Sequence, residues 1–287
     1  MKLYPNCKIN VGLHIVRKRE DGYHDLETIF YPVYGLHDEL EVNPIPSEGE
    51  AFCYRFRQEG IVVDCPEDKN LIIKCLKLFR EEFGERIGSV DIRFRKNVPF
   101  GAGLGGGSSD AAHMALALNE LFQLGLSKAE LASRVAKLGA DCAFFIYNTP
   151  CFAEGIGDVL TPIDFSLKGL RLVMIKPEVH VSTKDAYAGI KINGDAAKLL
   201  NGDATLNDGL TNDFEATVFA RYPQLADIKK RLLDAGAVYA AMSGSGSTIF
   251  GLFKDDAEGR TDAELALLHE EFASMVIFDD TLTEAQA

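Results

Sequence analysis

The sequence predicts an α+β protein in two domains, on three observations. The first half carries strands of period-two alternation with no regular strand–helix repeat, which argues against a doubly wound parallel sheet. The second half, from about residue 170, runs strand, helices, strand, strand, helix, strand. A chain of 287 residues is also long enough for two cores. The division is expected as 1–160 and 161–287, with the join within residues 150–169.

In order along the chain, "CKINVGLHIV" sets Cys7, Ile9, Val11, Leu13 and Ile15 on one face and Lys8, Asn10, Gly12 and His14 on the other, a strand signature. A turn at Asp21-Gly22 follows, then strand-like runs at "ETIFYPV", "DELEV", "AFCYRFR" and "IVVD", all read as antiparallel. Asn70 is placed to cap the helix "LIIKCLKLFREEFG", with Leu71, Cys75, Leu76, Phe79 and Phe83 toward a core. "SVDIRFRK" alternates as a strand and leads into "VPFGAGLGGGSSDAA", residues Val98 to Ala112. The helix "SDAAHMALALNELFQL" comes next, and a capping box, Ser127 with Glu130, opens "SKAELASRVAKL", ended by Gly139.

Beyond residue 170 the strands are "LRLVMIK", "VYAAM", "TIFGLF" and "MVIF", with helices from about 182 to 235 and at "DAELALLHEEFA". Stripped of extra helices, this is β-α-β-β-α-β, the ferredoxin-like split motif. The polar run "NGDAAKLLNGDATLND", Asn193 to Asp208, reads as a mobile insertion.

Composition narrows the function. The hydrophobic fraction is 47%, the charged fraction 25% and the formal net charge −13. Such an acidic chain lacks the basic face that a nucleic acid or an anionic membrane demands. A small anionic ligand held by local cations and backbone N–H groups is still allowed. No apolar run approaches the ~20 residues of a membrane span, and the start lacks a signal-peptide core, so a soluble, cytoplasmic protein is expected. The six cysteines are scattered with no C-x-x-C pair, as buried thiols would be.

The glycine loop is the strongest local signal. Gly101, Gly103 and Gly106 spell G-x-G-x-x-G, the dinucleotide fingerprint. That fingerprint belongs to a βαβ unit, however, and here a second helix follows the first. A Walker A loop is excluded because no Gly-Lys-Ser/Thr follows. What remains is a nest of N–H groups converging on an anion at the positive end of a helix. Ser108 and Ser109 can cap that helix, bind phosphate oxygens or assist a metal ion, and one of them is expected to be the N-cap. The glycine turns at Gly155/Gly157 and Gly244/Gly246 each suit a structural role, yet "SGSGST" is too polar for a minimal hairpin between strands. A phosphate site is the reading.

At this point the residues resemble a known family. "PFGAGLGGGSSDAA" is similar to the phosphate loop of the GHMP kinases, and "KINVGLHIVRKREDGYHDLETIF", "LGADCAFF", "AEGIGDVLTPI", "VSTKDAY", "NDFE" and "SGSGST" follow one branch of that superfamily in order. The resemblance spans roughly residues 6–250, strongest in 8–30 and 98–162 and faint in 41–66, 188–208 and beyond 254. It implies an N-terminal domain like the second domain of ribosomal protein S5 and a ferredoxin-like C-terminal domain. It also implies ATP-dependent phosphorylation of the 2-hydroxyl of a cytidine-diphosphate-linked methylerythritol, in the non-mevalonate route to isoprenoid precursors.

Carried onto this sequence, the resemblance makes Asp141 the catalytic base and Lys8 its basic partner. It assigns the ATP phosphates to Pro99, Phe100, Gly101, Ala102, Gly103, Leu104, Gly105, Gly106, Gly107, Ser108 and Ser109, and the adenine pocket to Asn70, Leu71 and Lys96. Tyr23 and Tyr187 are the sandwich for cytosine, His24 reads its edge, and Asn10 and Thr183 meet the sugar alcohol and diphosphate. Without the resemblance, Asp141 could be a helix cap, Lys8 and Lys96 solvated lysines, Tyr23-His24 a surface turn and Tyr187 a core residue. Mg²⁺ is expected with ATP, and the sequence shows no dedicated metal cage. The expected partner is a small molecule bearing a cytidine diphosphate, with no nucleic acid or membrane, and the protein a monomer or homodimer. Three alternatives stay open here: another GHMP kinase acting on homoserine or mevalonate, a dinucleotide-dependent oxidoreductase, and a non-catalytic nucleotide sensor.

Overall fold

The computed structural model describes residues 1–46, 52–63, 65–190, 192, 206, 210–254 and 260–283. By its contacts the chain divides into two compact units, neither continuous in sequence. Unit 1 comprises Met1–Lys8, Leu36–Phe100 and Gly105–Thr149; unit 2 comprises Ile9–Gly35, Gly101–Leu104 and Pro150–Ala287.

Unit 1 holds a four-stranded sheet of β1 (Lys2–Leu3), β4 (Glu39–Pro44), β6 (Val90–Lys96) and β5 (Tyr54–Gly60), in that spatial order. The expectation of antiparallel strands fails at β5, which pairs parallel to β6. The helix α1 (Leu71–Phe83) lies between them in sequence, and a strand–helix–strand crossover of this kind returns the second strand parallel to the first. The expected strand at "IVVD" is also absent over 61–63: β5 ends at Gly60, and Val62 is 86% exposed, with Asp64 outside the described residues. Asn70 caps α1 as its position predicts, its side chain accepting from the Ile72 N–H. The buried side chains of α1 are Ile72, Ile73, Cys75, Leu76 and Phe79, so Leu71 and Phe83 sit at the edge of the core.

Helix α2 (Gly106–Leu121) is buried on nearly every side, from Ser109 through Ala115 and at Ala117 and Leu118. Its run of Gly, Ser and Ala lets neighbours approach closely, and α1, α4 (Cys142–Tyr147) and α3 (Lys128–Val135) pack around it. The capping box on α3 forms in full: Ser127 accepts from the Glu130 N–H and Glu130 reaches back to the Ser127 N–H. The helix ends at Val135, capped at Ala136, and does not run to Gly139.

Unit 2 contains two four-stranded sheets. The first has the order β2 (Asn6–Lys18), β3 (His24–His37), β7 (Cys151–Glu154), β8 (Val159–Pro162). Residues 150–162, expected as part of the join between domains, thus form a hairpin, hydrogen-bonded to β3 from Thr28 to Phe30. The second sheet comprises β10 (Tyr239–Met242), β11 (Ile249–Phe253), β9 (Arg171–Ile175) and β12 (Val276–Thr281), all antiparallel. Numbered within the split motif, that order is 2-3-1-4, the ferredoxin-like arrangement read from the sequence. Helices α5 (Thr183–Ala188), α6 (Phe214–Arg221), α7 (Pro223–Asp234) and α8 (Arg260–Phe272) accompany it. Leu225, Ile228 and Leu232 of α7 and Leu265 and Leu268 of α8 bury against Val173, Ile175, Met242 and Ile249 of the sheet. The insertion expected at 193–208 lies outside the described residues except for Leu206.

No disulfide joins the six cysteines, and Cys7, Cys75, Cys142 and Cys151 are buried. No helix among the described residues is long and apolar enough to cross a membrane. The Ser127→Ala protein is expected to lose about 1 kcal/mol with its cap, read as a fall in Tm of about 2–4 °C in a thermal melt. An unchanged Tm would mean that the box contributes nothing to α3.

Candidate active site

On β2 the alternation predicts one wet face, yet both faces are buried. Lys8 is 3% exposed and Asn10 2% exposed. A buried ammonium is costly unless paired, and within unit 1 the Lys8 Nζ finds Asp141 Oδ2 at 3.6 Å. Burial pushes the Lys8 amine below the usual lysine range, while the Asp141 carboxylate pulls it back up. Asp141 occupies the N-cap position of α4, but its side chain makes no capping bond. Its side chain is 31% exposed, so the carboxylate faces both the buried lysine and solvent. The solvated-lysine and helix-cap alternatives are both absent here.

The second half of the glycine loop starts α2 in the same unit. The N-cap is Gly105, in the left-handed region with φ 69°, and no side chain caps the helix. The expectation that one serine is the cap is therefore corrected: a Cβ on residue 105 would lie 3.0 Å from the Phe145 ring and 3.2 Å from Lys8 Cε, so the turn has room only for glycine. Ser109 is fully buried, and its hydroxyl lies 3.3 Å from His113 Nδ1, one turn along the helix. Ser108 is half-buried, with its Oγ beside Gly139. Leu71, at the start of α1, lies 3.6 Å from where a Cβ on Gly107 would stand, which brings the Asn70-Leu71 corner to the loop. Pro99 is half-buried and Phe100 exposed.

Lys96 is 2% exposed. Its Nζ donates to Asp38 Oδ2 at 2.5 Å and to Asp110 Oδ2 at 2.9 Å. Asp38 Oδ1 accepts from the Asn97 N–H at 2.6 Å and the Val98 N–H at 2.8 Å. The other oxygen of Asp110 is buried with no hydrogen-bond partner. Burial drives the Asp110 carboxyl well above the carboxylate range despite the Lys96 charge. The Lys96 amine sits above its ordinary value because the two carboxylates together outweigh its burial.

In unit 2 the first half of the loop lies against "SGSGST". Gly103 has φ 78°, and a Cβ there would stand 1.9 Å from the Ser243 carbonyl oxygen. Ser243 Oγ donates to the Gly103 carbonyl at 2.9 Å, and the Asn10 N–H donates to Ser243 Oγ at 3.3 Å. Asn212 of "NDFE" fastens the same turn, donating to the Met242 and Gly244 carbonyls at 2.7 and 2.8 Å. Glu215 accepts from the Met242 N–H at 2.8 Å. Thr183 and Ser245 bring their hydroxyl oxygens to 3.3 Å. Gly101 lies against His180, while Ala102 and Leu104 are buried.

The expected base-binding aromatics also fall in unit 2. Tyr23 is 62% exposed. The His24 ring stacks on Tyr187, with centroids 4.8 Å apart and planes at 24°, and Phe214 meets Tyr187 edge-on at 4.8 Å. Residues that the sequence did not single out are Asp38, Asp110, Ser243, Asn212 and Glu215. The "SGSGST" and "NDFE" motifs signalled the last three; nothing local signalled Asp38, which acts 58 residues from Lys96.

Comparison with known proteins adds three kinds of finding. The model of the GHMP kinases N terminal domain matches residues 70–149, and that of the GHMP kinases C terminal domain matches 194–264. A 4-diphosphocytidyl-2-C-methyl-D-erythritol kinase of Bacteroides fragilis is 47% identical over 260 residues, covering 89% of this chain and 93% of the relative. A crystal structure of 4-(cytidine 5'-diphospho)-2C-methyl-D-erythritol kinase superposes with a TM-score of 0.78 at 30% identity, covering 99% of this chain and 100% of the other. A homoserine kinase from Cytophaga hutchinsonii superposes with a TM-score of 0.70 at 20% identity, covering 97% and 95%, a likeness of fold alone.

The loop geometry makes a paired prediction. Gly103→Ala forces a Cβ into a carbonyl oxygen at positive φ and should cost about 2 kcal/mol or more. Gly107→Ala, at an ordinary helical position with open contact distance, should leave Tm unchanged or raise it slightly. Thermal melts of the two proteins check this; equal Tm values would contradict the close approach of the two turns.

Proposed function

The chain belongs to the 4-diphosphocytidyl-2-C-methyl-D-erythritol kinase family of GHMP kinases, and on that premise we propose how its residues share the reaction. The protein is an ATP-dependent small-molecule kinase that phosphorylates the 2-hydroxyl of 4-diphosphocytidyl-2-C-methyl-D-erythritol, in the non-mevalonate supply of isoprenoid precursors. The observation that carries the assignment of roles is the buried Lys8 beside the part-exposed Asp141. Phosphorylating an alcohol needs a proton acceptor at the hydroxyl and positive charge near the transferring group. Asp141 takes the hydroxyl proton, and Lys8, 3.6 Å from its carboxylate, sets a positive charge beside it and polarises the acceptor oxygen.

Pro99–Ser109 hold the ATP phosphates on bare N–H groups and the start of α2. Asn70 and Leu71 line the adenine pocket; Lys96 belongs to the same site, although its amine is already committed to two carboxylates. Mg²⁺ accompanies ATP, where it neutralises the β- and γ-phosphates. Among the described residues no group of three or more His, Cys, Asp or Glu is arranged for a metal. Asp141 and Ser108 would offer protein oxygens to such an ion, with nucleotide and water supplying the rest. Tyr23 and Tyr187 sandwich cytosine, His24 reads its edge, and Asn10 and Thr183 meet the sugar alcohol and diphosphate. A base stacking on the face of Tyr187 that His24 now covers takes the imidazole's place. The boundary between the two family domains is placed at 160/161, between the matched ranges 70–149 and 194–264. The protein is cytoplasmic, a monomer or homodimer, with no nucleic-acid partner.

A coupled ADP-release assay over a panel of acceptors tests the reading: turnover is expected with the cytidylyl substrate alone, and equal turnover of homoserine or mevalonate would overturn it. Lys8→Ala and Asp141→Asn should still fold yet lose about 10²–10⁴ in kcat. Tyr187→Ala should raise the acceptor KM about tenfold, the loss of one base stack, and leave the ATP KM alone.

A further inference from the structure

Asp38 and Asp110, which pair with Lys96 in unit 1, have no place in the chemistry above, and the construction of the cluster is hard to explain as core filling. It buries three ionisable side chains at 0, 2 and 4% exposure and leaves Asp110 Oδ1 with no partner. Well-packed apolar residues of similar volume usually serve stability as well or better. What the cluster supplies is geometry. Asp38 fixes the N–H groups of Asn97 and Val98, the two residues just before Pro99. Asp110 projects from α2 just after Ser109. The Lys96 ammonium ties the two carboxylates together and lies 3.0 Å from where a Cβ on Gly106 would stand. One cation thus spans the entrance and the exit of the glycine segment and supports the first residue of its helix.

We propose that Asp38, Lys96 and Asp110 are positioning residues for the ATP phosphates, holding the two ends of the glycine segment at a fixed separation; this rests on the reading of that segment as the ATP phosphate site. Lys96 acts from beneath the loop rather than as a contact to the nucleotide. The side chain chosen suits the place, since an apolar brace would leave Asp38 Oδ2 and Asp110 Oδ2 without their shared donor, and a misplacement of about 1 Å in a phosphate cradle can cost about a hundredfold in rate.

The test measures KM for ATP and for the acceptor separately, alongside a thermal melt. Lys96→Met should raise the ATP KM about tenfold or more while the acceptor KM stays within about twofold, a split that general loosening of the fold does not produce. An ATP KM within about twofold of the parent, or a parallel rise of both constants, overturns the proposal whatever the Tm. Should Lys96→Met fail to fold, Asp110→Asn and Asp110→Ala decide the matter. The amide can still accept from Lys96, so Asn should stay within about threefold in ATP KM while Ala rises about tenfold. Equal effects of the two overturn the proposal. Calorimetric titration of the parent protein with ATP separates the two levels of inference: no binding there refutes the phosphate-site reading, whereas intact binding with unaffected variants refutes only the positioning role.

Discussion

Burying ammonium groups without water imposes the order seen in unit 1. Lys8 and Lys96 leave solvent on two different strands, and each must find a carboxylate from a distant part of the chain. The penalty for an unpaired buried charge is several kcal/mol, larger than any local preference for helix or strand. The pairing therefore fixes where α4 begins relative to Lys8, and where β6 ends relative to β4 and α2. Elements that look independent in sequence are coupled through these few atoms.

The bare backbone of the glycine segment is the complementary constraint. Side chains are excluded at Gly103 by a carbonyl of the neighbouring turn, and at Gly105 by Phe145 and the stem of Lys8. The first exclusion lies in unit 2 and the second in unit 1, so the glycines serve two separate packing problems before any ligand is considered. This explains why their density exceeds what either a simple turn or a helix start requires. It also explains why a literal G-x-G-x-x-G misleads: the spacing reports which positions are crowded, not which cofactor is bound.

Much of the fold was legible because periodicity reports burial directly. The capping residues Asn70 and Ser127 follow from patterns within a few residues of each other, and the 2-3-1-4 sheet from the order of its locally patterned strands and helices. The first of the misreadings comes from a need for information from far along the chain, the others from where an element starts or stops. "CKINVGLHIV" alternates, yet its polar face is buried because partners from other segments cover it. "IVVD" has strand composition, but only the Ile61 N–H still reaches β6, at the Lys96 carbonyl, and the strand stops at Gly60. Ser108 and Ser109 look like caps, but the helix starts before them, at a residue with no side chain to offer. Likewise the base pair of the site, Lys8 with Asp141, was assigned from resemblance, since composition alone favoured a solvated lysine.

On the proposed reading of Tyr187 as a base platform, the stack of His24 on it has a thermodynamic consequence for affinity. Tyr187 is not an idle platform awaiting a ring; one face already holds an imidazole and its flank a phenyl group. Recognition of a base on that face is thus an exchange of one stack for another. The measured free energy is the difference between two aromatic contacts, smaller than the full stacking strength. Shortening His24 would remove the competitor along with any contact it makes to the ligand, so the two effects oppose each other in a single binding constant.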